Sequence, residues 1–207
     1  MEIEYKGANC IVITHKKDVF VTDPKLSRVG LKDYSGPSVA QIITQDERIE
    51  SNEGVIINGP GEYEVRNCSI KGIAAKSHHS LEKEMPATMY RLDLEELSIA
   101  IIGHVDSNLT EEQLEELGLI DILIVPIGGY GFTLDAKSAA ELVRKVEPKV
   151  VIPTHYADET LKYEVPQDSI ETFIKEMGSP VEEAAKLRVK PGTLPATLTI
   201  CKVLRTK

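Results

Sequence analysis

The sequence predicts an α/β fold in which two β-sheets pack face to face with helices outside, formed as one domain of residues 1–207. Three observations predict it. The first half of the chain consists of short runs rich in isoleucine and valine, separated by polar turns. The second half alternates apolar strand-like runs with amphipathic helical runs. The two halves have similar strand content with no linker between them, which favours two packed sheets over a doubly wound single sheet.

The first half is predicted to form strands and hairpins. A first hairpin joins "IEYKGANCIVIT" to "DVFVTD" through the polar turn "HKKD". "AQIITQ" and "GVIINGPG" follow as further strands. Two more hairpins are expected, turning at "RN" in "EYEVRNCSIKGIAAKS" and at "LEEL" in "ATMYRLDLEELSIAIIGH".

The second half is predicted to alternate helices with buried strands. "LTEEQLEELG" is typical of a helix with Thr110 as the N-cap and Gly118 as the stop. A second helix, "TLDAKSAAELVRKVEP", carries one apolar stripe, and a third, "PQDSIETFIKEMG", ends at Gly178. The strands "IDILIVPIGG" and "KVVIPTHY" are apolar throughout, as expected of strands covered on both faces, and "LRVK" and "ATLTICKVL" close the fold.

Composition limits the class of protein. Hydrophobic residues make up 42% and charged residues 28% of the chain, and no stretch is apolar enough to span a membrane. The net charge of −9 argues against nucleic acid as a general partner. The opening "MEIEYKGANC" is unlike a secretory signal, so we expect a cytoplasmic protein. Cys10, Cys68 and Cys201 are widely spaced and are expected to be small buried thiols.

Four of the five histidines follow predicted strands directly. These are His78, His79, His104 and His155, whereas His15 lies in the turn "HKKD" and is expected to be solvated. Strand ends in a layered fold meet at one edge, so three imidazoles could form a metal site with an acid from another loop as ligand or general base. The alternative is that each histidine is a polar loop residue bonded to a nearby carbonyl.

Other motifs are interpreted structurally. "NGPGEYEV" is typical of a tight turn. "PIGGYGFTLD" lacks the spacing of a phosphate-binding loop and is expected to cover the site edge, with Thr133 or Asp135 capping the next helix. Tyr130 and Phe132 could form the wall of a substrate pocket. No serine nucleophile motif "GxSxG" is present in the sequence.

The ordered segments "FVTDP", "IITQDE", "GPGEYEV", "IIGH", "DILIVPIGG" and "VIPTHY" resemble the metallo-β-lactamase superfamily. The nearest branch is that of small prokaryotic Zn-dependent hydrolases of the β-lactamase fold. The resemblance runs along nearly the whole chain. It implies a four-layer αβ/βα sandwich of two mixed β-sheets flanked by helices, with one or two metals, usually zinc, at one edge.

The resemblance also implies that the metal motif is replaced. Where the family has "THxHxDH", this chain has "TQDERIE", which places Gln45 and Glu47 at the first two histidines, Ile49 at the aspartate and Glu50 at the third histidine. His78 or His79 stands at the next histidine, His104 at the bridging aspartate and His155 at the last histidine. Asp23 matches an aspartate that supports the site.

Two functions remain open at this point. The first is a metal-assisted hydrolase with a rearranged mononuclear site of His78 or His79, His104, His155 and Glu47, in which Glu47 or Glu50 acts as base. Its cofactor would be one zinc or another divalent transition metal, although a protein without metal is the favoured state. In the protein without metal, Arg48 is expected to fill the space where a metal once sat and to pair with Glu47 or Glu50. The second is a non-catalytic pseudoenzyme that binds a small molecule or a protein partner. A homodimer is the default expectation for the assembly, and a nuclease role is disfavoured by the net charge.

Overall fold

The computed structural model describes residues 1–44, 54–78, 86–190 and 192–206, which form two mixed β-sheets and three α-helices. This confirms the predicted fold class. The strands are β1 (Glu2–Gly7), β2 (Cys10–His15), β3 (Asp18–Thr22), β4 (Ala40–Ile42), β5 (Val55–Ile57), β6 (Gly61–Val65), β7 (Cys68–Lys76), β8 (Pro86–Leu94), β9 (Leu97–Ile101), β10 (Ile122–Pro126), β11 (Val150–Thr154), β12 (Val181–Ala184), β13 (Leu187–Arg188) and β14 (Thr199–Val203). The helices are α1 (Glu111–Leu117), α2 (Ala136–Val146) and α3 (Ile170–Met177).

The first sheet has the strand order β13-β1-β2-β3-β4-β5. Its central strand β2 is buried on both faces because its side chains alternate between two apolar clusters. Ile11 and Ile13 belong to the main core, which also contains the apolar side chains of the second sheet. Cys10 and Val12 point the other way, into a smaller cluster with Leu26, Val29 and Leu161.

The second sheet has the order β12-β14-β11-β10-β9-β8-β7-β6. Strands β6 to β9 pair antiparallel, whereas β9, β10, β11 and β14 pair parallel. In the parallel part Ile124 of β10 lies opposite both Ile101 of β9 and Ile152 of β11. These three strands therefore end at the same edge, and the residues that follow them meet there.

The helix ends follow the capping chemistry of the sequence. Thr110 Oγ1 accepts from the Gln113 backbone N–H at 3.2 Å while Gln113 Oε1 accepts from the Thr110 N–H at 2.9 Å, and Gly118 ends α1. Of the two caps considered for α2, Asp135 is the one present, since its Oδ1 accepts from the Ser138 N–H at 2.7 Å. None of the helices in the described ranges is long and apolar enough to cross a membrane.

The structure differs from the predicted strands in two places. The first run is split into β1 and β2 by a turn at Ala8 and Asn9, where Ala8 adopts a positive φ of 46°. Strand β12 was not predicted because its sequence, "VEEA", is mostly exposed and shows no apolar alternation. The turns at "RN" and "LEEL" are confirmed by the pairing of β6 with β7 and of β8 with β9.

The prediction for the three cysteines is confirmed, whereas the prediction for His15 was wrong. All three thiols are buried and free, and burial raises the pKa of Cys201 to about 11. His15 was expected to be solvated, but its side chain is only 13% exposed and its Nε2 lies 3.6 Å from Glu95 Oε2. The prediction was wrong because His15 ends β2, where Glu95 of the β8–β9 turn lies beside the imidazole.

Tyr90 ties the second sheet to the ends of two strands of the first. Its hydroxyl donates to the carbonyl of Ile43, just after β4, at 2.8 Å and accepts from the backbone N–H of Gly59, after β5, at 2.9 Å. The ring is fully buried, and burial raises the pKa of the phenol to about 12. The hydroxyl therefore stays protonated and stabilises the contact between the sheets.

We expect Tyr90→Phe to lower the free energy of unfolding by about 1–3 kcal/mol, because it leaves buried backbone groups without their partner. Urea denaturation measures the change. Tyr130→Phe is the matched control, since Tyr130 is 59% exposed and should change stability little. Equal effects of the two substitutions would contradict the bridging role of Tyr90.

Candidate functional site

A cavity of about 320 Å³ opens at the edge where β9, β10 and β11 end. Polar groups and apolar side chains both line it, which is the usual composition of a small-molecule site. The apolar part of the lining includes Ala87, Phe132, Tyr163 and Val165. The polar and charged part includes Asn9, Asp23, Lys25, Arg28, Ser77, His104, His155, Glu164 and Gln167.

The structure brings His104 and His155 together although they lie far apart in the chain. His104 follows β9 and His155 follows β11, and both strands pair parallel with β10 between them. The two ring centroids are 5.4 Å apart at an angle of 83°, and the side chains are buried. Burying two imidazoles at a cavity is costly unless they are hydrogen-bonded, so their partners decide what they can do.

His155 is held in one orientation by Gln167. The Nδ1 atom lies 3.0 Å from Gln167 Oε1, and Gln167 Nε2 donates to the carbonyl of Val165 at 3.1 Å, which fixes the amide with its oxygen toward the ring. An amide oxygen only accepts, so Nδ1 carries the hydrogen of the neutral imidazole and Nε2 carries the lone pair. Within the described part of the chain, Nε2 makes no hydrogen bond.

Gly128 makes the contact between Gln167 and His155 possible. A β-carbon at this position would collide with Gln167 Oε1 and with the backbone carbonyl of His155. The Gly128 carbonyl also accepts from the Asp168 N–H at 2.7 Å, which holds the loop of Gln167 against the end of β10. Gly128, the first glycine of the motif "PIGG", therefore allows Gln167 and His155 to pack closely at the site.

Burial keeps His155 neutral. Its ring packs against Tyr163 at 4.8 Å and Phe132 at 5.8 Å between centroids. Desolvation disfavours the imidazolium more than the bond to Gln167 favours it, so the pKa of His155 falls to about 4. The backbone at this residue has a positive φ of 50°, and its N–H donates to the Ala8 carbonyl at 2.9 Å.

Asn9 was missed by the sequence reasoning and lies at the centre of the site. Its Nδ2 is 3.2 Å from Nδ1 of His104, and its Oδ1 accepts from the hydroxyl of Thr154 at 3.0 Å. The side chain is buried. In sequence, an asparagine between two short apolar runs is typical of a turn, so no local signal pointed to this contact.

Asp23 lines the cavity, and its predicted role in supporting the site stays a prediction. Its Oδ1 accepts from the backbone N–H of Thr44 at 2.9 Å and its Oδ2 accepts from the Thr44 hydroxyl at 2.6 Å. Asp23 adopts a positive φ of 37°, and Thr44 is 1% exposed. The carboxylate therefore fixes the backbone and the hydroxyl of Thr44, just after β4.

The other predicted site residues fall into two groups. His78 donates its backbone N–H to the His104 carbonyl at 2.8 Å, but its Nδ1 lies 3.9 Å from Asp106 Oδ2 and the residue does not line the cavity. Phe132 lines the cavity as expected, whereas Tyr130 is exposed and does not. Six predicted residues lie outside the described part of the chain, and their roles stay predictions: Gln45, Glu47, Arg48, Ile49, Glu50 and His79.

The residues of the described ranges do not fit a two-metal centre. No three histidine, cysteine, aspartate or glutamate side chains among them lie close enough together to hold a metal ion. Nδ1 of His104, one of the predicted ligands, lies 3.2 Å from the amide nitrogen of Asn9. A mononuclear site that draws on Glu47 and His79 stays a prediction.

Comparison with known proteins places this geometry in a family context. A model described as "Beta-lactamase superfamily domain" matches residues 2–155. A "UPF0173 protein" of Pyrococcus furiosus is 22% identical over 175 residues, which are 81% of this chain and 78% of that protein. A "UPF0173 metal-dependent hydrolase" of Carboxydothermus hydrogenoformans is 51% identical over 43 residues, only 21% of this chain and 19% of that protein.

Solved structures share the fold. A protein of Thermotoga maritima, assigned to the Zn-dependent hydrolases of the metallo-β-lactamase superfamily, superimposes with a TM-score of 0.78 at 23% identity. The superposition covers 98% of this chain and 99% of that chain. The two-sheet architecture with helices is therefore that of the metallo-β-lactamase fold.

We expect Gly128→Ala to lower the free energy of unfolding by about 1–3 kcal/mol, because the new methyl group forces Gln167 and the His155 backbone apart. Chemical denaturation measures the loss. Gly131→Ala is the control, since a β-carbon added at Gly131 would meet no atom within 4 Å and the positive φ of 73° leaves only a backbone cost. A smaller loss for Gly128→Ala than for Gly131→Ala would contradict the packing role.

We expect stability to decrease as the pH falls from about 6.5 to about 4, in part because of His155. Its pKa is about 4 in the folded chain and near 6.5 when unfolded, so the unfolded state binds more protons within this window. The contribution of His155 is complete above 6.5 and amounts to roughly 2–3 kcal/mol lost by about pH 4.5. Urea denaturation across this range should give a flatter profile for His155→Gln than for the unaltered chain, and equal slopes for the two would contradict the prediction.

Proposed function

Because the chain belongs to the β-lactamase superfamily, whose model matches residues 2–155, we propose that it is a hydrolase of small molecules that acts in the cavity beside His104 and His155. The Carboxydothermus hydrogenoformans relative is described as a metal-dependent hydrolase, which supports the reaction class. The cavity volume of about 320 Å³ suits a small organic substrate better than a polymer.

One observation carries the proposal. His155 is a buried imidazole at the cavity whose Nδ1–H is held by Gln167 and whose Nε2 lone pair makes no hydrogen bond among the described residues. A second residue that fixes the tautomer is typical of imidazoles that bind a metal or accept a proton. The left-handed backbone at His155 is a further cost that a purely structural histidine would not need.

The proposal includes the loss of the family's standard two-metal centre. Its support is the sequence "TQDERIE" in place of the histidine motif and the asparagine amide that faces His104. Any metal that this protein uses would need a different ligand set, with Glu47, Glu50 and His79 as the predicted additions.

A second candidate function is non-catalytic binding of a small ligand. The apolar side of the cavity, formed by Phe132, Val165 and Ala87, favours it, since such a surface can hold a ligand without any chemistry. A protein with this function would keep the cavity and its polar side chains but would not convert any substrate.

A panel of p-nitrophenyl esters, lactones and amides tests the proposal. We expect slow but measurable hydrolysis that falls by about 10²-fold or more in His155→Gln and is unchanged in the control His15→Gln, which alters a histidine away from the cavity. Metal analysis of the same preparations shows whether an ion is bound. Binding of panel members without hydrolysis would favour the second candidate, and hydrolysis that survives in His155→Gln would contradict the site.

A further inference from the structure

Among the described residues, four charged side chains line the cavity beside the two histidines: Asp23, Lys25, Arg28 and Glu164. Both carboxylate oxygens of Asp23 accept hydrogen bonds from Thr44, and Arg28 already interacts with another group. Lys25 and Glu164 differ from them, because neither makes a hydrogen bond or an ion pair within the part of the chain that the structure describes. The cavity therefore offers one cation and one anion to a ligand.

Lys25 and Glu164 do not neutralise each other. Both are exposed at the cavity, yet they form no ion pair with each other. A ligand that carries a single charge would match one of them and face a like charge at the other. A ligand with both an anionic and a cationic group complements both residues, and electrostatic complementarity selects binding partners. The two separate charges thus favour a zwitterion.

The backbone on either side of Lys25 is fixed. The carbonyl of the preceding residue, Pro24, accepts from the Tyr34 N–H at 2.9 Å. The following residue, Leu26, is buried in the smaller apolar cluster, and its carbonyl accepts from the Val29 N–H at 3.0 Å. The base of the Lys25 side chain therefore has a defined position, although its ammonium group is exposed.

Glu164 is presented by the loop that also holds His155. Its neighbour Tyr163 packs against the His155 ring with 4.8 Å between the centroids. The carbonyl of its other neighbour, Val165, accepts from Gln167 Nε2 at 3.1 Å, and Gln167 Oε1 lies 3.0 Å from His155 Nδ1. The backbone that carries Glu164 is therefore fixed relative to His155.

The parts of the chain that carry the two charges are bound to each other. The Lys162 N–H donates to the Val29 carbonyl at 2.9 Å, and Leu161 packs with Leu26 and Val29 in the smaller apolar cluster. The spacing of the two charged residues is thus set by hydrogen bonding and apolar packing rather than by their own attraction. A site whose backbone is already ordered loses less free energy to ordering when a ligand binds.

We propose that the cavity binds small zwitterions, with the carboxylate of the ligand at Lys25 and its ammonium group at Glu164. The apolar side chains of Phe132, Val165 and Ala87 offer such a ligand a surface for an aliphatic side chain, and a cavity of about 320 Å³ suits a molecule of dipeptide size. This inference rests on the proposed function for the location of the site, and it specifies the substrates as esters or amides that carry both charges.

Three probes that differ by one charge test the proposal. Glycyl-leucine carries both charges, N-acetylglycyl-leucine carries only the carboxylate, and glycyl-leucinamide carries only the ammonium group. NMR titration of the full chain measures the three affinities without any turnover. We expect glycyl-leucine to bind most tightly and each single-charge probe to bind about two- to fivefold more weakly, since ion pairs at an exposed rim contribute modestly.

Substitution of each charged residue should reproduce the loss of the matching charge from the probe. Lys25→Gln should weaken glycyl-leucine and N-acetylglycyl-leucine by about two- to fivefold without weakening glycyl-leucinamide. Glu164→Gln should weaken glycyl-leucine and glycyl-leucinamide without weakening N-acetylglycyl-leucine. The controls are Lys32→Gln and Glu159→Gln, which remove exposed charges that are nearby in the chain but do not line the cavity, and they should change no affinity.

The outcomes separate this inference from the proposed function. Equal affinities for the three probes, no binding of any probe, or losses in Lys25→Gln and Glu164→Gln that do not follow the charge of the probe overturn the inference. Hydrolysis of neutral esters that is lost in His155→Gln leaves the hydrolase proposal standing in each of these cases. Tightest binding of glycyl-leucine with the expected losses supports the inference, and if no ester or amide is then hydrolysed, the hydrolase proposal alone fails.

Discussion

The turn between β1 and β2 determines the geometry of the whole site. Three hydrogen bonds connect this turn to the second sheet. The His155 N–H donates to the Ala8 carbonyl, the Thr154 hydroxyl donates to Asn9 Oδ1, and the Asn9 amide nitrogen donates to the His104 ring. Two of the partners follow or end β11 and one follows β9. A two-residue turn of the first sheet thus fixes the relative position of two strand ends in the second.

The two buried histidines lie at strand ends that are held by hydrogen bonds from both sheets. Parallel strands bring His104 and His155 to one edge, where the Asn9 amide contacts the His104 ring and the Gln167 amide oxygen determines that Nδ1 of His155 carries hydrogen. A buried imidazole with a fixed tautomer, such as His155, needs no reorganisation when a ligand enters, which is the condition for preorganised catalysis. Gly128 completes the arrangement, since a larger residue would displace Gln167.

Much of the fold could be predicted from the sequence because periodicity and caps are local signals. The hairpin turns and the caps at Thr110 and Gly118 were found in this way, and the strand ends correctly indicated where His104 and His155 meet. The partners of these histidines could not be predicted. Asn9 is 95 residues from His104 and 145 from Thr154, and an amide in a loop carries no sign of which distant side chain it will contact.

The carboxylate of Asp23 has a further consequence for how this protein could diverge from its relatives. By binding both the backbone and the hydroxyl of Thr44, it anchors the end of β4 independently of whatever side chains follow. Residues after Thr44 can therefore be exchanged in evolution without loosening the sheet that carries them. A scaffold of this kind keeps the cavity edge in place while the sequence that follows it is open to change.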